Sequence, residues 1–325
     1  MSAPSGRSLL IPAWILSTIA LLWFLRTARA LLIPIAVAVL LSYAVEPVVA
    51  RLARARVPRA LGAALVLLLL TGLFAWGVYA LRDEVSALLA AAPAAAAKLS
   101  AWAGMSDPIE AADSPGVILQ GIGWLLSGAG NLTIVVMLAY FLLLSGEHFK
   151  RRVVETAGPG EQKRATADVF EDINDQIQRF LLVQVFTSVV VGVATWAVLA
   201  WMSVPQAAVW GIGAGLFNSI PYFGPVIVSG GLFVVGMVQS GDPAVAGRMA
   251  GATLLVTSLE GWLLNPVLMG KAEHMHVVAV FVGVLVWTWL WGAWGTILAV
   301  PMMVVLKAVC DHVDGLKPIS RLLAR

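Results

Sequence analysis

A lone acid, Glu260, falls within an otherwise apolar stretch, residues 249–268, where Val256, Leu263 and Leu264 are its helical neighbours. An ionisable group at bilayer depth is costly and is as a rule kept for a substrate, an ion or a proton. Removal from water disfavours the charged form of a carboxyl, which suits such a group to bind a proton near neutral pH. The plainer alternative is an acid satisfied by backbone N–H groups of a broken helix. Upstream lies the run Asn218-Ser-Ile-Pro-Tyr-Phe-Gly-Pro225. Its Pro221, Gly224 and Pro225 interrupt helix hydrogen bonding, and a membrane tolerates such backbone only inside protein or along a cavity. Asn218 and Ser219 add an amide and a hydroxyl, groups able to coordinate a cation or hydrogen-bond a small polyol. The rival reading is a tight turn and nothing more. Asn265-Pro266 has the same duality, because proline removes a helix bond that Asn265 can refill or leave in order to face a substrate. Gly270, Gly292, Gly295 and Pro301 mark the later breaks and complete the expected substrate or ion pathway.

Other polar residues carry less. Glu46, just before Pro47, is expected to reach the interface or pair with Arg51. His274 and His276 follow Gly270-Lys271 and could sense pH, but are expected to be inert loop residues. Gly211, Gly213, Gly215, Gly230, Gly231 and Gly236 are expected to permit close helix contact.

These residues need a membrane scaffold, and the composition supplies one. The chain has 325 residues, is 60% hydrophobic and only 12% charged, with a mean hydropathy of +0.90. A soluble domain would be about a quarter charged. The expected fold is therefore all-α, a polytopic transmembrane helical bundle. A net charge of +3 with clustered Lys and Arg speaks of orientation in a bilayer, not of nucleic acid. Cys310 is the one cysteine, so no internal disulfide and no thiolate cluster can form. There is no phosphate loop of Walker type, no His-Glu-x-x-His and no Gly-x-Ser-x-Gly. The expectation is a protein that is no enzyme and has no cofactor or metal, beyond H⁺ or Na⁺ as coupling ion.

The whole chain, 1–325, reads as a single membrane domain. Residues 1–81 hold three spans at 9–25, 30–49 and 60–81, each near the ~20 residues that cross a ~30 Å core. Arg7 and Ala28-Arg29-Ala30 superficially resemble a cleaved signal, but Arg26 and Arg29 stand where small neutral residues belong, so the first span is expected to be retained. Arg51, Arg54, Arg56 and Arg59 mark the second loop as cytoplasmic and place the N-terminus inside. Residues 82–116 form an extracytoplasmic segment, with helix over 85–102 that Pro93 should kink or end. Residues 117–145 carry the fourth span, near 122–144. Residues 146–180 are a cytoplasmic amphipathic segment with Val169, Phe170, Ile173, Ile177 and Phe180 on one helical face and Asp168, Glu171, Asp172 and Asp175 off it.

A core of span, hairpin, span, hairpin follows over 181–310, and 311–325 is a cytoplasmic tail. Its spans are 181–202 and 249–268. The segments 206–220 and 226–239 have 15 and 14 residues, too short as helices to cross; so do 277–291 and 296–307, around Gly292-Ala-Trp-Gly295. Two re-entrant hairpins entering from opposite sides, an inverted repeat, are the preferred reading; four short tilted spans are the alternative. Paired short, interrupted segments point to a transporter's binding site.

Several motifs together resemble the autoinducer-2 exporter-like permeases, the AI-2E transporter family. They are Pro34 with Tyr43-x-x-x-Pro47 and Pro58-Arg59, Phe141-x-x-x-Ser145-Gly146, the 218–225 run, Glu260 with Pro266-x-x-Met-Gly-Lys271, and Trp291-Gly-x-x-Gly295 through Ala299-Val-Pro301 to Lys307. Val183 and His276 depart from the pattern, standing where glycine and proline are common. The resemblance implies export of a small polar signalling molecule, Na⁺/H⁺ exchange in some relatives, and a homo-oligomer. The resulting expectation is a secondary transporter of the cytoplasmic membrane. In it, 218–225, Glu260 and 292–295 would converge around a polar solute, with Glu260 as coupling site. A cation/proton antiporter is the runner-up, and a non-transport membrane scaffold the third reading.

Overall fold

The computed structural model describes residues 6–102, 132–146, 152, 154–155, 161–220, 223–264, 267–268 and 276–312. Among them every regular element is helical: α1 (Gly6–Thr27), α2 (Arg29–Arg54), α3 (Arg59–Trp102), α4 (Leu132–Gly146), α5 (Glu161–Trp201), α6 (Ala207–Phe217), α7 (Phe223–Ser240), α8 (Pro243–Leu259) continuing into a π-turn (Glu260–Leu264), α9 (Val277–Trp291) and α10 (Ala293–His312). Five are long and apolar enough to cross a membrane: α2, α3, α5, α7 and α10. The protein is an all-α polytopic membrane protein, and its exposed Leu, Ile, Val, Phe and Trp side chains form the surface that hydrocarbon would contact.

Several boundaries differ from the sequence expectation. The third span and the following segment are one helix, α3, of 44 residues, about 66 Å long at 1.5 Å per residue. Pro93 does not end it. The amphipathic segment and fifth span are likewise one helix of 41 residues. On it Ile177 and Phe180 are buried, Val169, Phe170 and Ile173 half-buried, and Asp168, Glu171, Asp172 and Asp175 exposed, as the periodicity requires. The expected short pairs are unequal. Helices α6 and α9 have 11 and 15 residues, whereas α7 and α10 have 18 and 20, so one arm of each pair has spanning length.

Three apolar clusters hold the helices. Ala38, Val45 and Val49 of α2 meet Ala63, Val66 and Leu67 of α3 and Val135, Ala139 and Leu143 of α4. Arg59 fastens this unit at its charged end: its Nη2 lies 2.7 Å from Glu46 Oε1, and its Nε donates to the Leu143 carbonyl at 2.9 Å. Glu46 thus pairs with Arg59 across the turn rather than with Arg51. A second cluster joins Ala36 and Leu40 of α2, Ile177, Phe180 and Leu181 of α5, and Leu290, Trp291 and Leu298 of α9–α10. The third, Val191, Leu199, Val204, Ala214, Val228, Leu232 and Met249, lies inside α5–α8.

Glycine sets how closely α5–α8 pack. A Cβ on Gly211 would stand 2.7 Å from the Gly192 carbonyl, one on Gly215 2.7 Å from the Ser188 carbonyl, and one on Gly236 2.6 Å from Ala246 Cα. Helix backbones can approach this way only without side chains. Gly231 sits under the Trp210 ring, while Gly213 and Gly230 face open space, so four of the six expected contact glycines are used and two are not.

Candidate functional site

Two helical hairpins, α6–α7 and α9–α10, carry the sequence-derived candidates. The first bend follows from its residues. Asn218, Ser219 and Ile220 wind on past α6, their N–H groups donating to Ala214, Leu216 and Phe217 carbonyls at 2.9, 3.3 and 2.9 Å. Gly224 then turns the chain back, its N–H donating to the Ile220 carbonyl at 3.0 Å. A Cβ at Gly224 would run into the Phe217 carbonyl group, 2.7 Å from its carbon; only glycine closes this bend. The second bend repeats the device. Gly295 lies against the Trp287 carbonyl in the same way, and Gly292 links α9 to α10 at φ +63°, a conformation natural to glycine. Here Thr288 and Thr296 share a hydroxyl–hydroxyl bond of 2.7 Å.

Glu260 stands where α8 changes from α-helix to π-turn. Single π-turns within α-helices recur at functional sites. The next residue, Gly261, is permissive of the widening. Glu260 is 7% exposed and is the one charged residue among the buried described residues. Its carboxyl faces the side chains of Asn218, from the first bend, and Thr187, from α5. Gln184, one turn before Thr187, closes the group: its Nε2 donates to the Asn218 carbonyl at 3.5 Å and to Ser188 Oγ at 3.4 Å. The structure therefore brings Glu260 and Asn218 together and adds Gln184 and Thr187, which sequence reasoning missed. The available signal was the polar set Gln184-x-x-Thr187-Ser188 inside an apolar run.

The other candidates fall as follows. Ser219 is half-buried beside Asn218, and Pro225 lies in the first turn of α7, its carbonyl accepting from Ser229 Oγ at 2.6 Å. Gly292 is exposed, Gly295 and Pro301 are buried in the second hairpin, and none of these three contributes a side-chain donor to Glu260. The hairpins touch through a Phe223–Phe281 ring stack with centroids 5.8 Å apart, and the second bend also rests on α1, where Trp291 Nε1 donates to the Leu25 carbonyl at 3.1 Å. Pro221, Asn265, Pro266, Gly270 and His274 lie outside the described residues. His276 has a structural place: its Nδ1 accepts from Val278 N–H at 3.3 Å and caps α9.

Chemically, the arrangement is a buried carboxyl facing groups that can each donate or accept. An amide offers both a carbonyl oxygen and an NH₂, and a hydroxyl serves either way, so Asn218 and Thr187 can satisfy Glu260 with or without its proton. No cluster of three or more His, Cys, Asp or Glu suited to a metal occurs among the described residues.

Comparison with known proteins decides the family. The sequence matches the family model described as "AI-2E family transporter" over residues 9–315. The chain belongs to the AI-2E transporter family. It is 28% identical over 193 residues to the Escherichia coli (strain K12) "AI-2 transport protein TqsA", covering 59% of this chain and 54% of that protein. It is 28% identical over 181 residues to the Bacillus subtilis (strain 168) "Putative transport protein YrrI", covering 55% and 50%. With the E. coli K12 "Putative permease PerM" it shares 26% identity over 306 residues, 86% of each. The chain thus spans about half the length of the first two relatives and most of the third. The AI-2E family consists of membrane transport proteins, and the all-α polytopic fold agrees with that class.

Proposed function

We propose that this protein is a secondary-active membrane transporter that exports a small polar solute, of the autoinducer-2 kind, coupled to a proton or sodium gradient. It would sit in the cytoplasmic membrane with both termini inside and work as a homo-oligomer in the lipid bilayer. The observation carrying this reading is the Glu260 carboxyl held between Asn218 of a hairpin bend and Thr187 of α5. A buried acid joined to a bend and to a long helix lets a protonation or cation-binding event alter how the two pack. Differential binding of an ion by two conformations is what couples its gradient to movement. The site of the solute is proposed at the first bend, residues 218–225 with Glu260. Asn265, Pro266 and Gly270 would extend the pathway beyond the π-turn, and Gly292, Gly295 and Pro301 of the second hairpin would face it. Both hairpins would be re-entrant.

The support from relatives is that one is named for AI-2 transport. A second reading, cation/proton antiport without an organic solute, is favoured by one feature: Glu260, Asn218 and Thr187 all bring oxygen, the ligand type of a hard cation such as Na⁺. Reconstituted liposomes loaded with autoinducer-2 and a lumenal pH dye separate the two. Solute release that follows an imposed proton or Na⁺ gradient supports the exporter. Proton movement driven by Na⁺ without solute release moves the answer to antiport. With folded protein, silence in both channels contradicts both.

A further inference from the structure

The elbow between α1 and α2 carries two cations that the proposed transport site does not use. Ala28 is the one residue between the helices, and Arg26 and Arg29 flank it. The elbow keeps helical hydrogen bonds on both sides. The Ala28 N–H donates to the Phe24 carbonyl at 2.8 Å, and the Ala28 carbonyl accepts from Leu31 and Leu32 N–H at 3.0 and 2.9 Å. Residues three apart in a helical winding are neighbours, so the two arginines leave the elbow within one turn of each other. Both are exposed, and neither joins an ion pair among the described residues. No acid on these elements balances them: residues 1–45 and 276–310 contain no Asp or Glu.

Two contacts fasten the second hairpin to this elbow. The Arg26 guanidinium lies 4.9 Å from the centre of the Trp289 ring, and Trp291 Nε1 donates to the Leu25 carbonyl at 3.1 Å. The level of the elbow follows from α2, which carries Arg29 at its start and Arg51 in its last turn. These are about 33 Å apart at 1.5 Å per residue, close to the ~30 Å of a hydrocarbon core. With Arg51 at one surface, Arg29 stands among the headgroups of the other, where indole rings also favour lying. Around it Trp23, Phe24, Leu31 and Trp289 are exposed, and give an apolar bed beside the two charges.

We propose that the α1–α2 elbow, with Trp289, binds one anionic phospholipid, its phosphate between Arg26 and Arg29 and its acyl chains along the exposed apolar bed. Charge complementarity selects the occupant. Guanidinium groups give phosphate oxygens strong, directional hydrogen bonds, and basic groups between membrane helices recruit anionic headgroups. The apolar side chains beside the arginines suit a lipid and not a free phosphate. Because Arg26 already rests on Trp289, the bound headgroup ties α1 and the second hairpin into one unit. A ligand held only by the folded state stabilises it. The inference goes beyond the transport reading and does not depend on it.

The test adds phosphatidylglycerol to the delipidated protein in mild detergent and reads bound lipid by native mass spectrometry and the thermal midpoint. Phosphatidylcholine and inorganic phosphate are the comparison ligands. The expected result is that phosphatidylglycerol binds and raises the midpoint, while phosphatidylcholine and phosphate do not. R26Q and R29Q should each weaken its binding about fivefold, the worth of one basic residue at an anionic surface, and R26K/R29K should retain it. R29Q covers the case of a poorly folded R26Q, since Arg29 takes no part in the Trp289 stack. Equal weakening in R54Q, at the opposite end of α2, would mean a general attraction to basic residues and overturns the site. A midpoint raised as much by phosphatidylcholine or by phosphate alone overturns it too, as does unchanged binding in R26Q and R29Q.

Discussion

Thr187 has one hydroxyl proton and two acceptors for it. Its Oγ1 lies 3.2 Å from the Gln184 carbonyl and also faces the Glu260 carboxyl. When Glu260 is ionised the hydroxyl donates to it; when Glu260 is protonated the carboxyl donates, and the hydroxyl returns to Gln184. Asn218 can exchange roles in the same way through its amide. Thr187→Val should therefore lower gradient-driven flux about tenfold, the effect of losing one hydrogen bond to a charged group. Thr187→Ser should restore it, with solute exchange the unaffected control; a Val variant that couples normally removes Thr187 from the mechanism. Glu260 and Asn218 were legible in the sequence because an acid and an amide in apolar or broken segments are anomalous by type. Gln184 and Thr187 were not, because hydroxyls and amides in membrane helices commonly bond their own backbone. Only the packing of α8 and the first bend on α5 shows which way they are used.

At the scale of elements, each hairpin depends on one glycine lying against a carbonyl: Gly224 on Phe217 and Gly295 on Trp287. An added Cβ must push backbone, not a flexible side-chain end. Gly224→Ala and Gly295→Ala are each expected to cost about 1–3 kcal/mol by overpacking, read as a lower thermal midpoint in detergent. Gly213→Ala, which meets nothing within 4 Å, should not lower the midpoint. The breaks at 218–225 and 292–295 were readable from Pro and Gly, but the arm lengths were not, since apolar composition continues past the turns and does not say where a helix stops. Pro93 does not end α3 for a related reason: proline removes one helix bond, and a helix of 44 residues loses little of its ladder by it. The π-turn at Glu260 went unread because 249–268 has ample length for one straight helix, and only Gly261 and Pro266 hinted otherwise.

Across the whole molecule, α5 joins the parts. Its first half packs with α2 and the second hairpin, and its second half with α6, α7 and α8, so a change at Glu260 reaches both hairpins through one helix. The α2–α3–α4 unit is fastened separately by Arg59. Arg59→Ala should destabilise it by about 1.5 kcal/mol through loss of charged hydrogen bonds, while Arg54→Ala, on an exposed side chain, should not; equal midpoints would contradict the clamp. Composition made the membrane class legible. The grouping of helices was not, because lipid-facing and helix-facing residues are equally apolar in such a chain. If the first hairpin is re-entrant, Ser203→Cys and Asp242→Cys should react with an impermeant maleimide from the same side. Cys310, 1% exposed, should stay silent as an internal blank.

The most direct measurement is a paired one on E260Q in liposomes: net autoinducer-2 release under an imposed proton or Na⁺ gradient, and exchange of labelled for unlabelled solute with no gradient. The account predicts that gradient-driven release is lost while exchange and the thermal midpoint persist, because glutamine keeps the shape and hydrogen bonds of the site but cannot exchange a proton or neutralise a cation. Gradient-driven release at the wild-type rate in that variant would contradict Glu260 as the coupling site.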